Sequence, residues 1–150
     1  MTETTQTARL SLPLLAMAQA QKEVTHNEAL ILLDALVQLA IEDGPLATPP
    51  VMPGAGQCWL VAPGASGDWA GRADEIAIRC EGGWRFVTPR AGLCAVRVTD
   101  GAVLRYRGGE WSTPEAVSNP ESGVTIDAEA RAAISALILS LEAHGLLISA

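Results

Sequence analysis

Two histidines, His26 and His144, and three cysteines, Cys58, Cys80 and Cys94, are the residues of this chain best suited to nucleophilic, acid–base or metal chemistry. Their spacing supports none of these. An odd cysteine count without a Cys-x-x-Cys pair fits neither a disulfide framework nor a zinc site. Free, buried thiols in a reducing compartment are expected instead. His26 falls inside a capping pattern, and His144 falls at a helix end, where the dipole favours a cation. Asp74 and Glu75 are neighbours, so in a strand they point to opposite faces and do not make a glycosidase pair. Gly54 and Gly56 precede a strand rather than a helix, and no phosphate loop, His-Glu-x-x-His or Gly-x-Ser-x-Gly pattern occurs. The expectation is a protein that is not an enzyme and takes no metal or cofactor.

Binding is the chemistry left. All six aromatics, Trp59, Trp69, Trp84, Phe86, Tyr106 and Trp111, lie between residues 57 and 112. Aromatic faces stack on sugar rings, and guanidinium groups pair with carboxylates or phosphates. Trp69, Arg72, Trp84 and Arg85 are therefore candidate ligand-binding residues for a surface glycan. The competing reading makes Trp59, Trp84 and Trp111 the core of a small sheet. Trp69, in the glycine-rich loop 64–71, is the tryptophan least committed to that core.

The elements that would position these residues fall into six stretches. Residues 1–13 read as a loose leader. Residues 14–43 read as helical. Thr25 and Glu28 have capping-box spacing, which allows either a short helix near 16–23 followed by a second from 26, or one continuous helix. Ten of the twelve residues from 30 to 41 are apolar. Asp34, Gln38 and Glu42 supply the only polar stripe, and a helix apolar on most faces must be buried on most faces. Other copies of the chain are the natural partners, with Val24, Leu30, Leu33, Leu36 and Val37 as interface candidates. Residues 37–41 alternate and suit a strand equally well. Residues 44–56, with four prolines, read as a linker or a polyproline-like crossing.

Residues 57–113 read as a small antiparallel sheet, with strands near 57–62, 75–81, 84–88, 94–99, 102–107 and 110–112. Gly82-Gly83 and Gly108-Gly109 are turns, and Asp100-Gly101 is a tight-hairpin signal. Residues 76–84 resemble 102–111: an alternating strand, two glycines, then a tryptophan opening the next strand. Residues 114–125 read as a second linker. In 126–150, Asp127 caps a helix over 128–143. Ala130, Ile134, Leu137 and Leu141 make a heptad-like seam, and Gly145 suits the left-handed position that follows, with Leu146 folding back. Ile134, Leu137 and Leu141 join the interface candidates. The fold class is α+β: an N-terminal helix or helix pair, a small antiparallel sheet of short hairpins and a C-terminal helix, intertwined in an oligomer.

Bulk composition agrees. The chain has 150 residues, 49 % of them hydrophobic and only 18 % charged. That leaves less polar surface than a lone monomer carries, and it argues against disorder. The net charge of −7 disfavours nucleic acid as a partner. An arginine-bearing middle, with seven arginines and four acids over 72–107, lies between acidic flanks. Residues 30–41 are too short to span a bilayer, which needs about twenty. Residues 2–7 lack the basic start and apolar core of a signal peptide, so synthesis in a reducing cytoplasm is expected.

Several spaced motifs together resemble one family. They are Leu10 to Pro13; Gln19 to Leu30 followed by 33–38; Pro49-Pro50; Gly56 to Trp59; Gly67, Trp69 and Gly71; then Ile76-Ala77 and Gly83-Trp84. The family is a domain of unknown function found in tail-fibre-like proteins of phages, prophages and gene transfer agents. The ending, Ile126 to Leu146, looks like tails of phage-related proteins. The resemblance implies a virion-type structural component, a homo-oligomer and by preference a trimer, contacting other tail or baseplate proteins. With no large region after the sheet, an attachment module, stem module or compact adaptor is expected rather than a receptor-binding tip.

Overall fold

A computed structural model of the chain describes residues 6–16, 22–123 and 126–148. The described residues form an α+β arrangement. In chain order these are α1 (Lys22–Leu36), β1 (Ala40–Ile41), β2 (Cys58–Leu60), β3 (Ile76–Cys80), β4 (Gly83–Val87), β5 (Cys94–Arg97), β6 (Val103–Arg107), β7 (Glu110–Ser112) and α2 (Ala128–Ala143). The chain divides into two compact units, Met1–Pro89 and Arg90–Ala150.

In the first unit, α1 runs unbroken through Thr25, which favours the continuous helix over a second one starting at 26 and removes Thr25 as an N-cap. Thr25 and His26 are exposed within the helix, and the Glu28 carboxylate reaches Arg85 rather than a backbone N–H at the helix start. The separate helix expected near 16–23 falls largely on residues 17–21, outside the described residues. The helix stops at Leu36, Gln38 turns into the left-handed region at φ 51°, and β1 follows. Residues 37–41 thus end the helix and enter a strand, with Leu39 and Ile41 buried.

The polar stripe does not stay together. Gln38 is exposed, whereas Asp34 is only 3 % exposed. Its carboxylate accepts from the Thr7 hydroxyl (2.6 Å) and from the backbone N–H groups of Arg9 (2.9 Å) and Leu10 (2.6 Å). Three donors satisfy a carboxylate that would otherwise be costly to bury. The Arg9 guanidinium donates in turn to the carbonyls of Asp34, Ala35 and Gln38, meeting orphan acceptors at the end of α1. The described part of the expected loose leader is therefore a turn tied to α1, closed by a bridge between Gln6 and Pro13.

β2, β3 and β4 form an antiparallel sheet in the order β2-β3-β4. Trp59, Ala77 and Phe86 lie directly opposite one another in one row, and Arg79 faces Trp84 in the next. Period-2 alternation puts Leu60, Ile76 and Val87 on the other face, together with Cys58, Ile78 and Arg85. The proline-bearing stretch is docked rather than free. Leu46 pairs in parallel with Val61, and its N–H donates to the Leu60 carbonyl at 2.9 Å. Gly44 permits this approach, since a Cβ there would lie 2.7 Å from the Leu60 carbonyl oxygen.

In the second unit, β5, β6 and β7 form an antiparallel meander. The β5–β6 connection is not the tight two-residue hairpin expected at Asp100-Gly101. Arg97 pairs with Ala102 through its N–H, so residues 98–101 make a four-residue loop. Asp100 ties it together, accepting from the Arg97 guanidinium and from the Ala102 N–H. The β6–β7 turn, Gly108-Gly109, has positive φ at both residues (68° and 94°), as a two-residue hairpin of matching twist requires.

Asp127 caps α2 by accepting from the Ala130 N–H at 2.9 Å. At the other end, Gly145 (φ 67°) and Leu146 donate to the carbonyls of Glu142 and Leu141. Those two bonds are a Schellman ending. The expected second linker lies along α2 in its described part: Arg131 donates to the carbonyls of Pro120 and Ser122, and Ser135 bonds Asn119. Among the described residues of this unit, the buried apolar ones are Ala95, Ala102, Leu104 and Ile138.

Candidate functional site

One face of the first unit's sheet gathers three of the four tryptophans. Trp59 comes from β2, Trp84 from β4, and Trp69 from a 3-10 turn at Gly67–Trp69. The Trp69–Trp84 and Trp59–Trp84 contacts are T-shaped, with centroids 5.1 and 5.6 Å apart, and Trp59–Trp69 is tilted at 6.5 Å. These are favoured aromatic geometries. Val61 and Ala77 complete the buried cluster, and Leu46, Ala65 and Phe86 pack against it. Trp69 is 0 % exposed, and its indole N–H has no hydrogen-bond partner among the described residues. The tryptophan expected to be least committed to the core is its centre.

This corrects the ligand-binding set, since a fully buried Trp69 offers no face for stacking. Trp84 is half-buried, and the guanidinium of Arg79 sits 5.6 Å from its ring. Arg72 lies 4.7 Å over Phe86 and pairs with Glu75 at 3.5 Å. The cation–π contacts occupy the ring faces a sugar would use. Arg85 alternates to the opposite face, away from Trp84. Of the four expected residues, Trp69, Trp84 and Arg72 thus gather on one side of the sheet, with Trp69 sealed in its core, and Arg85 alone lies on the other. Glu75 also accepts from the Thr88 hydroxyl, which accounts for it without chemistry.

Arg85 belongs to a different feature, a cleft of about 430 Å³ between α1 and the second face of the sheet. Ile31 and Ala35 of α1 line it against Ile78 and Cys80 of β3, and Leu14 and Leu15 extend the apolar wall. At its rim the Arg85 Nε donates to the Glu28 carboxylate at 3.0 Å, and both side chains are about half exposed. Two anchors fix the walls: the Asp34 network, and Asn27, whose amide bonds both the N–H and the carbonyl of Leu15 at 2.9 Å. Sequence reading missed this cleft because its residues come from four separated stretches. The only available signal was the pairing of an acid in the helix signature with an arginine 57 positions away.

The interface candidates divide. On α1, Val24 lines the cleft, Leu33 and Val37 are exposed, and Leu30 and Leu36 are half-buried. On α2, Ile134, Leu137 and Leu141 are exposed by 43, 64 and 40 %, and Ile138 is the helix's buried residue.

The cysteines are all free, but only Cys58 fits the expectation of burial. Burial pushes its thiol up to about 12. Cys80 is half-buried, with its pKa raised by the same desolvation, and Cys94 is exposed. Among the described residues no group of His, Cys, Asp or Glu could hold a metal ion, and no helix is long and apolar enough to cross a membrane. His144 accounts for itself at the end of α2 through a 2.7 Å contact between Nδ1 and the Ser140 carbonyl.

Fold and site together define a small α+β module whose best-formed features are an aromatic core, a rim-charged cleft and an uncovered helix. Residues 26–112 match the family described as Protein of unknown function (DUF2793), and the chain belongs to that family. No curated protein matches it.

Proposed function

We propose that the chain is a structural subunit of a phage-like particle, a tail-fibre component or tail-associated adaptor that assembles with copies of itself. The observation that carries this reading is α2. From Ala132 to Leu141 the helix holds no charged residue, and Ile134, Leu137, Leu139 and Leu141 are all exposed by 40 % or more. A lone soluble helix carries charge on its outer face, and contiguous exposed apolar surface marks an interaction site. The 4-3-4 spacing of Ala130, Ile134, Leu137 and Leu141 suits a helical seam. Leu33 and Val37 of α1 add a second exposed apolar stretch. The resemblance to tail-fibre proteins supplies the particle, the expected number of three, and tail or baseplate proteins as further partners.

A glycan-binding role draws less support, since Trp69 is buried and Arg85 lies on the face opposite Arg72 and Trp84. Light scattering and native mass spectrometry of the purified chain test the reading. A trimer at micromolar concentration is expected, and Leu137→Asp with Leu141→Asp should break it into smaller species that stay folded. A monodisperse, well-folded monomer overturns the reading.

A further inference from the structure

We infer that the cleft between α1 and β3–β4 is a binding site for a single-chain amphiphile with an anionic head, its aliphatic tail on the apolar walls and its carboxylate on Arg85. This goes beyond the assembly reading and does not depend on it.

Three observations support the site. Its volume, about 430 Å³, falls in the range of roughly 300–1,000 Å³ typical of small-molecule pockets. Leu14, Leu15, Ile31, Ala35 and Ile78 give it an apolar wall that suits a flexible hydrocarbon, while Gln6, Glu28, Glu81 and Arg85 make part of the lining polar. Its walls are set before any ligand arrives. The Asn27 amide holds Leu15 by two hydrogen bonds, and Asp34 holds Thr7, Arg9 and Leu10. A pre-formed site spends less binding energy on ordering.

The head group follows from the rim. Arg85 meets Glu28 through Nε alone, and among the described residues its Nη2 has no hydrogen-bond partner. The guanidinium fork takes a carboxylate through two parallel N–H groups, a stronger geometry than the single contact present. Both partners are about half exposed, and such a pair is worth little, so an incoming carboxylate displaces Glu28 at small cost. The Asp34 carboxylate does not compete for Arg85, since its own donors saturate it. Glu28 is thus a built-in competitor for Arg85, and the two residues have opposite effects on affinity.

Calorimetric titration of the full chain with decanoate, kept below its micelle concentration, tests the site, with 1-decanol and acetate as comparisons. Decanoate should bind saturably at one per chain, with decanol about tenfold weaker or more and acetate giving no heat, because tail and head are both needed. Arg85→Gln should weaken decanoate about tenfold and leave decanol unchanged. Glu28→Gln should tighten decanoate severalfold. Val24→Trp, at an exposed position on the cleft wall, should block both chains while the circular dichroism spectrum is retained. Absence of saturable decanoate binding, equal affinity for decanoate and decanol, or loss of decanoate affinity in Glu28→Gln overturns the inference. The mass measurements that test assembly are independent of all these readings.

Discussion

The two hairpins that share a sequence pattern, β3–β4 and β6–β7, have nearly the same backbone design and very different surroundings. Each places its tryptophan in the second cross-strand pair from the turn: Arg79 opposite Trp84, Tyr106 opposite Trp111. The repeated glycines are offset by one residue. Glu81-Gly82 make the first turn and Gly83 already pairs with Cys80, whereas Gly108-Gly109 are both turn residues and Arg107 pairs with Glu110. In the first hairpin, β2 and the 3-10 turn bring Trp59 and Trp69 onto the same face, and an enclosed core results. In the second, Trp111 has a ring contact with Tyr106 at 5.4 Å and stays half-buried. Local pattern therefore specifies the strands and where the tryptophan pairs, not which residues make the turn, and burial depends on what the rest of the chain delivers to the face.

The sharpest way to break this comparison is to truncate the two tryptophans. Trp69→Ala should cost about 3–5 kcal/mol, the usual loss for a large buried aromatic. Trp111→Ala should cost about 1 kcal/mol, since a half-buried pair loses only part of its area and one ring contact. Urea denaturation followed by circular dichroism gives both values. Equal losses would show that the second hairpin is as enclosed as the first.

Next in size is Asp34→Ala. It leaves the Thr7 hydroxyl and the N–H groups of Arg9 and Leu10 without their acceptor in a buried place. A loss of about 3 kcal/mol is expected, since a single orphaned buried donor costs about 1–3 kcal/mol. Asp34→Asn should recover part of it, because one carboxamide oxygen still accepts. If both variants are as stable as the native chain, the N-terminal turn is not anchored in solution.

These residues also mark where the sequence was legible. The strands of both hairpins, the Asp127 cap and the Gly145 ending were readable because each is encoded within a few residues by alternation, a short polar side chain or a left-handed glycine. Asp34 was not. In the sequence it looks like one member of an i, i+4 polar stripe, and its donors lie 24 to 27 positions earlier. Thr25 and Glu28 misled for the converse reason: the spacing is right, but the helix begins upstream and Glu28 has a better partner in Arg85. Trp69 misled because a glycine-rich loop suggests exposure, whereas here the loop turns its one large side chain inward. The cleft was invisible because no local pattern reports a space between elements.

The thiols give a smaller contrast between the units, read in rates. Cys58 of β2 is buried, with its pKa pushed up to about 12. At pH 8 roughly one in ten thousand of its molecules is thiolate, and the thiolate is the nucleophile. Cys94 of β5 is exposed. Iodoacetamide at pH 8 should modify Cys94 first, Cys80 more slowly, and Cys58 only on unfolding. Mass spectrometry of tryptic peptides over a time course gives the order, and modification of Cys58 at the rate of Cys94 would mean that the first unit's core opens readily.

The smallest effect expected is at the β5–β6 loop, where Asp100 does for one turn what Asp34 does for an entire segment. Its carboxyl is held below the usual carboxylate range, chiefly by the hydrogen bond from Arg97, with the Ala102 N–H adding to it. A lowered folded-state pKa means the folded state binds the proton less tightly than the unfolded chain. The stabilisation is therefore complete above the ordinary carboxylate pKa and is lost as pH falls through the folded value. Asp100 is exposed, so solvent screens the pair and its contribution should stay under about 1 kcal/mol. Asp100→Asn should abolish that acid-range loss while keeping an oxygen for the Ala102 N–H, so the loop should hold its shape. Asp34 has no such exposure, and an asparagine there would serve only part of its three donors. If Asp100→Asn proves as costly as Asp34→Ala in denaturant at neutral pH, solvent exposure is not what separates the two aspartates.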